Sequence, residues 1–160
     1  MSVAGGRSSD GRLPLHVTAS EVGFVGTTAG MTGGQLRRVQ IVLMEYGPVE
    51  LHLAGRPGAD EQVVEIADRL RLWRMLHPSD TPGVGPPSQG DVEFPAKKEV
   101  QRFRDIVDAA GVLVAAPATG EPTLGSWTWW TVSYAQAAGR PVVLVRPDGT
   151  AVRREGRRRS

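Results

Sequence analysis

The chain has 160 residues, 40% of them hydrophobic and 22% charged, with a formal net charge of +2. That length and balance suit one globular domain with a real core. The absence of cysteine excludes disulfides, thiolate metal sites and cysteine nucleophiles. No apolar run approaches the ~18–20 residues that span a bilayer. The opening "MSVAGGRSSDGRLP" lacks the apolar stretch of a secretory signal, so a cytoplasmic location is the default expectation.

Residues 1–20 are polar and rich in Gly and Ser, and read as a flexible arm. "VGFVG" (22–26) follows as a short buried strand. Thr32-x-x-Gln35 then fits a capping box, and Leu36, Val39, Leu43 and Tyr46 recur at helical spacing up to Gly47-Pro48. "VELHL" (49–53) is a second strand, and Asp60 is the expected N-cap of a helix with Val63, Ile66, Ala67 and Leu70 inward. "WRMLH" (73–77) is a weaker strand. Pro95 is expected to open a helix that buries Val100, Phe103, Val107 and Ala110. "GVLVAAP" (111–117) is apolar throughout, as a central parallel strand should be. A helix over 126–139 closed by Gly139 and a strand "PVVLVR" (141–146) complete the series.

Five strands alternating with four helices predict an α/β fold, a Rossmann-like three-layer α/β/α sandwich around a mostly parallel sheet. It would occupy 21–149. Residues 150–160 form a basic tail: "AVRREGRRRS" (151–160) holds five arginines and one glutamate, which leaves the rest of the chain slightly acidic. Such a run reads as a solvated end, with nucleic-acid contact as the alternative. Residues 78–98 hold five prolines without any periodicity, and read either as a mobile cover or as an idle insertion.

Ligands of such sheets bind beyond the carboxyl ends of the strands, near the switch in strand order. Loops 26–34, 54–60 and 116–126 are therefore the candidate site. Gly26, Thr27, Thr28 and Gly30 could present N–H groups and hydroxyls to an anion, or could simply form a tight turn. The spacing matches neither G-x-G-x-x-G nor G-x-x-x-x-G-K-[ST]. In the second loop Arg56 could reach a phosphate, Gly58 allows close backbone approach, and Asp60 caps the helix. In the third, Trp130, Tyr134 and Ala137 share a face expected in the core. Trp127 or Trp129 is left to stack on a base or to cover a partner subunit. Arg102, Arg104, Asp105 and Asp108 sit on one helix, where solvation is the plain reading. His16, His52 and His77 have no metal-ligand spacing.

Taken in order, "VGFVGTTAGMT", "HLAGRPGAD", "FRDIVDAAGVLVAAPAT" and "LGSWTWWTVSYAQAAGRPVVLV" resemble the SLOG superfamily over residues 22–148. These are Rossmann-like domains related to the Lonely Guy phosphoribohydrolases and the DNA-processing protein A family, and the likeness is to small stand-alone bacterial and phage members. The resemblance implies a nucleotide or nucleotide-derived ligand at the three loops, with Arg104, Pro117, Thr119, Gly125, Ser126 and Trp127 joining the residues already named. Lonely Guy enzymes carry P-G-G-x-G-T-x-x-E, whose glutamate assists N-glycosidic cleavage. Laying Gly125-Ser126 on that Gly-Thr puts Trp129 at the glutamate position, and indole cannot do a carboxylate's work. The alternative hydrolase reading must therefore use Glu121 or Asp105. The expected partners are a nucleotide-like small molecule and a second copy of the chain, with nucleic acid reached through the arginine tail. No cofactor or metal is expected.

Overall fold

The computed structural model describes residues 19–81 and 90–157. Most of the expected N-terminal arm, His16, the middle of the proline-rich segment and the last three residues of the tail lie outside these. The elements are β1 (Glu21–Gly26), α1 (Gly33–Tyr46), β2 (Glu50–Leu53), α2 (Ala59–Leu70), β3 (Trp73–Leu76), β4 (Val92–Glu93), α3 (Glu99–Ala109), β5 (Val112–Ala116), α4 (Trp127–Ala137), β6 (Val142–Val145) and β7 (Ala151–Arg154). They form one sheet in the order β4-β3-β2-β1-β5-β6-β7. All pairings are parallel except β6 with β7.

Alternation along the strands builds the two faces. Val22, Phe24, Leu51, Leu53, Val112, Val114, Val143 and Val145 point to the side covered by α1 and α2. Val25, Leu113, Ala115, Val142 and Leu144 point to the side covered by α3 and α4. Gly23 lies beneath α3, where a Cβ would come 3.1 Å from Ile106. This is the Rossmann-like three-layer sandwich. At α1 the capping box at Thr32 and Gln35 is present, and Gly47 closes the helix in the left-handed conformation.

The sheet has seven strands rather than five. β4 is only two exposed residues inside the proline-rich segment, too short to show a period. β7 takes up the start of the expected tail. Its Arg153 lies 5.9 Å over the Tyr46 ring and donates to the Tyr46 hydroxyl, so an arginine here serves as packing.

Three local expectations are also corrected. α3 begins at Glu99 and not at Pro95, because a bridge between Ser79 and Lys97 holds the preceding residues extended. Val100 is consequently exposed, and Arg102, Phe103, Ile106 and Val107 face inward. Asp60 is not the cap of α2: that position belongs to Gly58, and Asp60 is buried in the first turn. On α4 the core residue is Trp129, whereas Trp130 and Tyr134 are half-buried and Ala137 is exposed.

Candidate functional site

β1 leads through α1 to β2 on one side of the sheet, and the chain later crosses to β5 on the other. The order reverses between β1 and β5, so a crevice is expected above their carboxyl ends. The three candidate loops meet there.

The loop after β1 is tied to its surroundings. Thr27 N donates to Ala116 O (3.0 Å), Gly30 N to Thr27 O (3.2 Å) and Ala29 N to Thr27 Oγ1 (3.1 Å). Met31 N donates to Gln62 Oε1 (2.7 Å) and Thr32 N to Gln35 Oε1 (3.0 Å). The amides of Thr27, Ala29, Gly30, Met31 and Thr32 are thus committed to protein acceptors. Gly26 has a packing role, since a Cβ there would lie 2.5 Å from Ala59 Cβ. Gly30 has a φ of +97° and Thr28 is exposed.

The second loop is locked onto the first. Gly58 has a φ of +84°, and its Cβ would lie 2.3 Å from Thr28 O. Ala59 N donates to Thr27 O (2.9 Å). Arg56 then reaches between the end of β1 and the first turn of α4. Its Nη2 donates to Gly26 O (2.8 Å) and lies 3.5 Å from Thr128 Oγ1 on α4. The guanidinium stands 5.2 Å over the Phe103 ring. Nη1 makes no hydrogen bond to the described residues. Asp60, 2% exposed, accepts the Arg56 N–H through Oδ2 at 2.9 Å. Burial pushes its carboxyl up to about 6, with the Arg56 charge and the Arg56 and Gly55 amides opposing.

The third loop ends at Gly125, with a φ of +79° and open space where a Cβ would go. Ser126 caps α4 by accepting the Trp129 N–H. Trp127 stacks on Phe103 at 5.3 Å and 14°, and Trp130 meets its edge at 69°. Trp129 is buried, and its Nε1 donates to Thr119 Oγ1 (3.2 Å), which in turn donates to Glu121 O (2.8 Å). Pro117 O accepts from Gln35 Nε2 (2.8 Å). A cleft of about 220 Å³ is walled by Gly125, Ser126, Trp127 and Trp130. A second, of about 320 Å³, is lined by residues 122–126 together with Trp129, Trp130 and Ser133. A third, of about 220 Å³, lies around Trp73 at the amino end of β3, where this fold does not bind ligands.

Other expected site residues are placed elsewhere or otherwise engaged. Arg104 is exposed over the Tyr134 ring (5.5 Å). Asp105 is held by Lys97 (2.7 Å) and Gln101 (2.8 Å); burial raises its carboxyl, and these two partners outweigh that to leave it below its usual value. Glu121 is exposed on the loop.

Two groups of residues are more engaged than their sequence pattern suggests: Arg102, expected on a solvated helix face, is buried, and so are His52 and His77. Arg102 is 3% exposed, paired with Glu99 (2.8 Å), and reaches Ala54 O (3.3 Å) and His77 O (3.4 Å). Its signal was the 99-102-103-106 spacing, which sets it on the inner stripe beside Phe103. His52 Nδ1 and His77 Nε2 are 2.9 Å apart, one donating and the other accepting, with Phe94 stacked 4.4 Å from His77. Burial and the neighbouring His52 push His77 down to about 4. Among the described residues no group of three or more His, Asp or Glu is placed to hold a metal, and no helix is long and apolar enough to cross a membrane.

No protein-family model and no curated protein matches the sequence. In fold the chain is similar to the molybdenum cofactor binding protein from the phototrophic bacterium Rippkaea orientalis, at a TM-score of 0.59 and 19% identity over 79% of this chain and 76% of that one. It is equally similar to TM1055, a structural-genomics target, at a TM-score of 0.59 and 20% identity over 81% of this chain and 76% of that one. Identities this low establish the fold: a Rossmann-like α/β domain.

Proposed function

We propose that the protein binds a nucleotide or a nucleotide-derived ligand in the crevice above β1 and β5, as a SLOG-type binding or sensing domain. The observation that carries this reading is the placement of Arg56. Its fork is fixed by Gly26 O and stands beside Thr128, with Nη1 left over for an anion next to the positive end of α4. The Trp127–Trp130 corner lies on the same first turn of α4 and offers an aromatic wall to a flat ring. In this reading the phosphate is held by Arg56 and the start of α4, and the loop after β1 serves as a wall. The fold neighbour from Rippkaea orientalis is a molybdenum cofactor binding protein, so that ligand belongs in the test panel.

Binding is favoured over N-glycosidic hydrolysis because Trp129, at the position of the Lonely Guy glutamate, is buried and committed to Thr119. Native mass spectrometry of the purified protein would reveal a carried-over ligand. Calorimetry with AMP, GMP, CMP and the molybdenum cofactor supplies the direct test. Arg56→Met should weaken the ligand that binds by about 10–150-fold, the worth of a charge-assisted bond of ~1.5–3 kcal/mol. Equal affinity in the variant, or no binding by any member of the panel, would overturn the reading.

A further inference from the structure

We propose that Asp60 is a proton-accepting counter-ion to Arg56, so that docking of an anion on Arg56 is accompanied by proton uptake at the Asp60 carboxyl. The inference rests on the Arg56 reading above and gives that site a regulation by pH. Its basis is geometric. Asp60 is 2% exposed in the first turn of α2 and cannot itself reach out to a ligand in solvent. One oxygen, Oδ2, accepts the Arg56 N–H and so sets the path of the loop. The Gly55 amide also acts on the carboxyl, yet the other oxygen, Oδ1, is buried without a partner of hydrogen-bond geometry, as is Arg56 Nε. A proton on Oδ1 would therefore cancel the carboxylate charge and leave the bond that holds Arg56 in place.

The charged surroundings favour this exchange. Arg56 and Arg102 are the cations that act on Asp60, the second from α3. Glu99, also on α3, acts on Arg56 and is paired with Arg102. The loop after β1 and the first turn of α4 contribute Thr27 and Thr128, which are uncharged. With Asp60 ionised, part of the Arg56 field is already answered inside the protein. An incoming anion supplies the same compensation from the crevice side, and two negative charges about one guanidinium oppose each other. Burial has already brought the carboxyl to about 6, close enough to neutrality for a ligand to tip it. By reciprocity, each unit by which the anion raises the Asp60 midpoint is about a tenfold gain in anion affinity on acidification.

Carbon-13 NMR of the Asp60 carboxyl in the intact protein tests this, with AMP and inorganic phosphate as separate probes. The midpoint should lie above that of an ordinary aspartate in the free protein and rise further with either probe bound. Calorimetry of AMP binding near pH 6.5, repeated in buffers of different ionisation enthalpy, gives the protons taken up. Asp60→Asn keeps an oxygen for the Arg56 N–H and removes the charge, so its value reports AMP's own protonation. Wild type should exceed it, and at pH 8 the variant should bind AMP severalfold more tightly than wild type. If Asp60→Asn binds more weakly with its melting temperature unchanged, or if probes bind while the carboxyl midpoint stays fixed, the counter-ion role is wrong and the Arg56 site stands. If neither probe moves any resonance near the crevice and GMP, CMP and the molybdenum cofactor also fail to bind, both fall.

Discussion

The indole N–H of Trp129 donates to the hydroxyl of Thr119, 3.2 Å away, across the loop that separates β5 from α4. A core side chain thereby fixes the position of an exposed segment at the mouth of the crevice. Trp129→Phe should keep the buried ring and lose this tie, at a cost of about 1 kcal/mol in urea denaturation. Amide exchange over residues 118–125 should accelerate. An unchanged exchange pattern would mean the loop is held by something else.

Gly58 and Gly26 are predicted to be structural. Gly58→Ala adds a Cβ 2.3 Å from Thr28 O at a φ that L residues avoid, and should cost more than ~2 kcal/mol. Gly26→Val should also destabilise, because Ala59 fills the space a Cβ would need. Loss of ligand binding in either variant says nothing about an anion cradle unless the thermal transition is intact. A Gly58→Ala protein melting like wild type would contradict the close approach.

Acidification acts on two buried groups with opposite signs. His77 is lowered to about 4 from an unfolded value near 6.5, so its contribution is present above pH ~6.5 and is lost as the pH falls toward 4. Asp60 is raised to about 6, so its ionisation opposes folding above that pH and ceases to do so as the pH falls toward an unfolded value near 3.9. His77→Gln should flatten the acid loss in denaturation midpoints between pH 7 and 4.5. Asp60→Asn should stabilise the protein at pH 8 and do little at pH 4.5. The reverse pattern would refute both assignments.

Removal of residues 151–157 should be costly, because β7 covers the β6 edge and Arg153 packs on Tyr46. Ending the chain after residue 157 should leave the melting temperature unchanged. If both truncations melt alike, β7 adds nothing to the sheet.

The alternation of apolar strands with amphipathic helices made the layer architecture readable from the sequence. β4 and β7 were not readable: one is two residues long, and the other has only two half-buried positions, one of them Arg153, whose apolar stem and charged head give opposite signals. The meeting of the three loops beyond the carboxyl ends of the strands followed from the rule for parallel sheets. The roles of Gly26 and Asp60 did not, because a glycine that admits a ligand and one that admits a neighbouring helix look alike in sequence. A helix-start aspartate likewise reads as a cap until its burial is seen. Arg102 was hidden by its charge, which reads as a solvated helix face although the residue lies beside Phe103 on the inner stripe.

Gln35 links distant parts of the chain. Its Oε1 closes the start of α1 on Thr32, and its Nε2 donates to Pro117 O, 82 residues on, and to Val145 O, 110 residues on. An element written near the beginning of the chain is therefore finished by strands written near its end. Until β5 and β6 are in place, the Gln35 amide must face water, since sealing it without those acceptors would cost about 1–3 kcal/mol. The N-terminal half should then not close on its own during synthesis, and docking of α1 belongs among the late, long-range steps that slow folding.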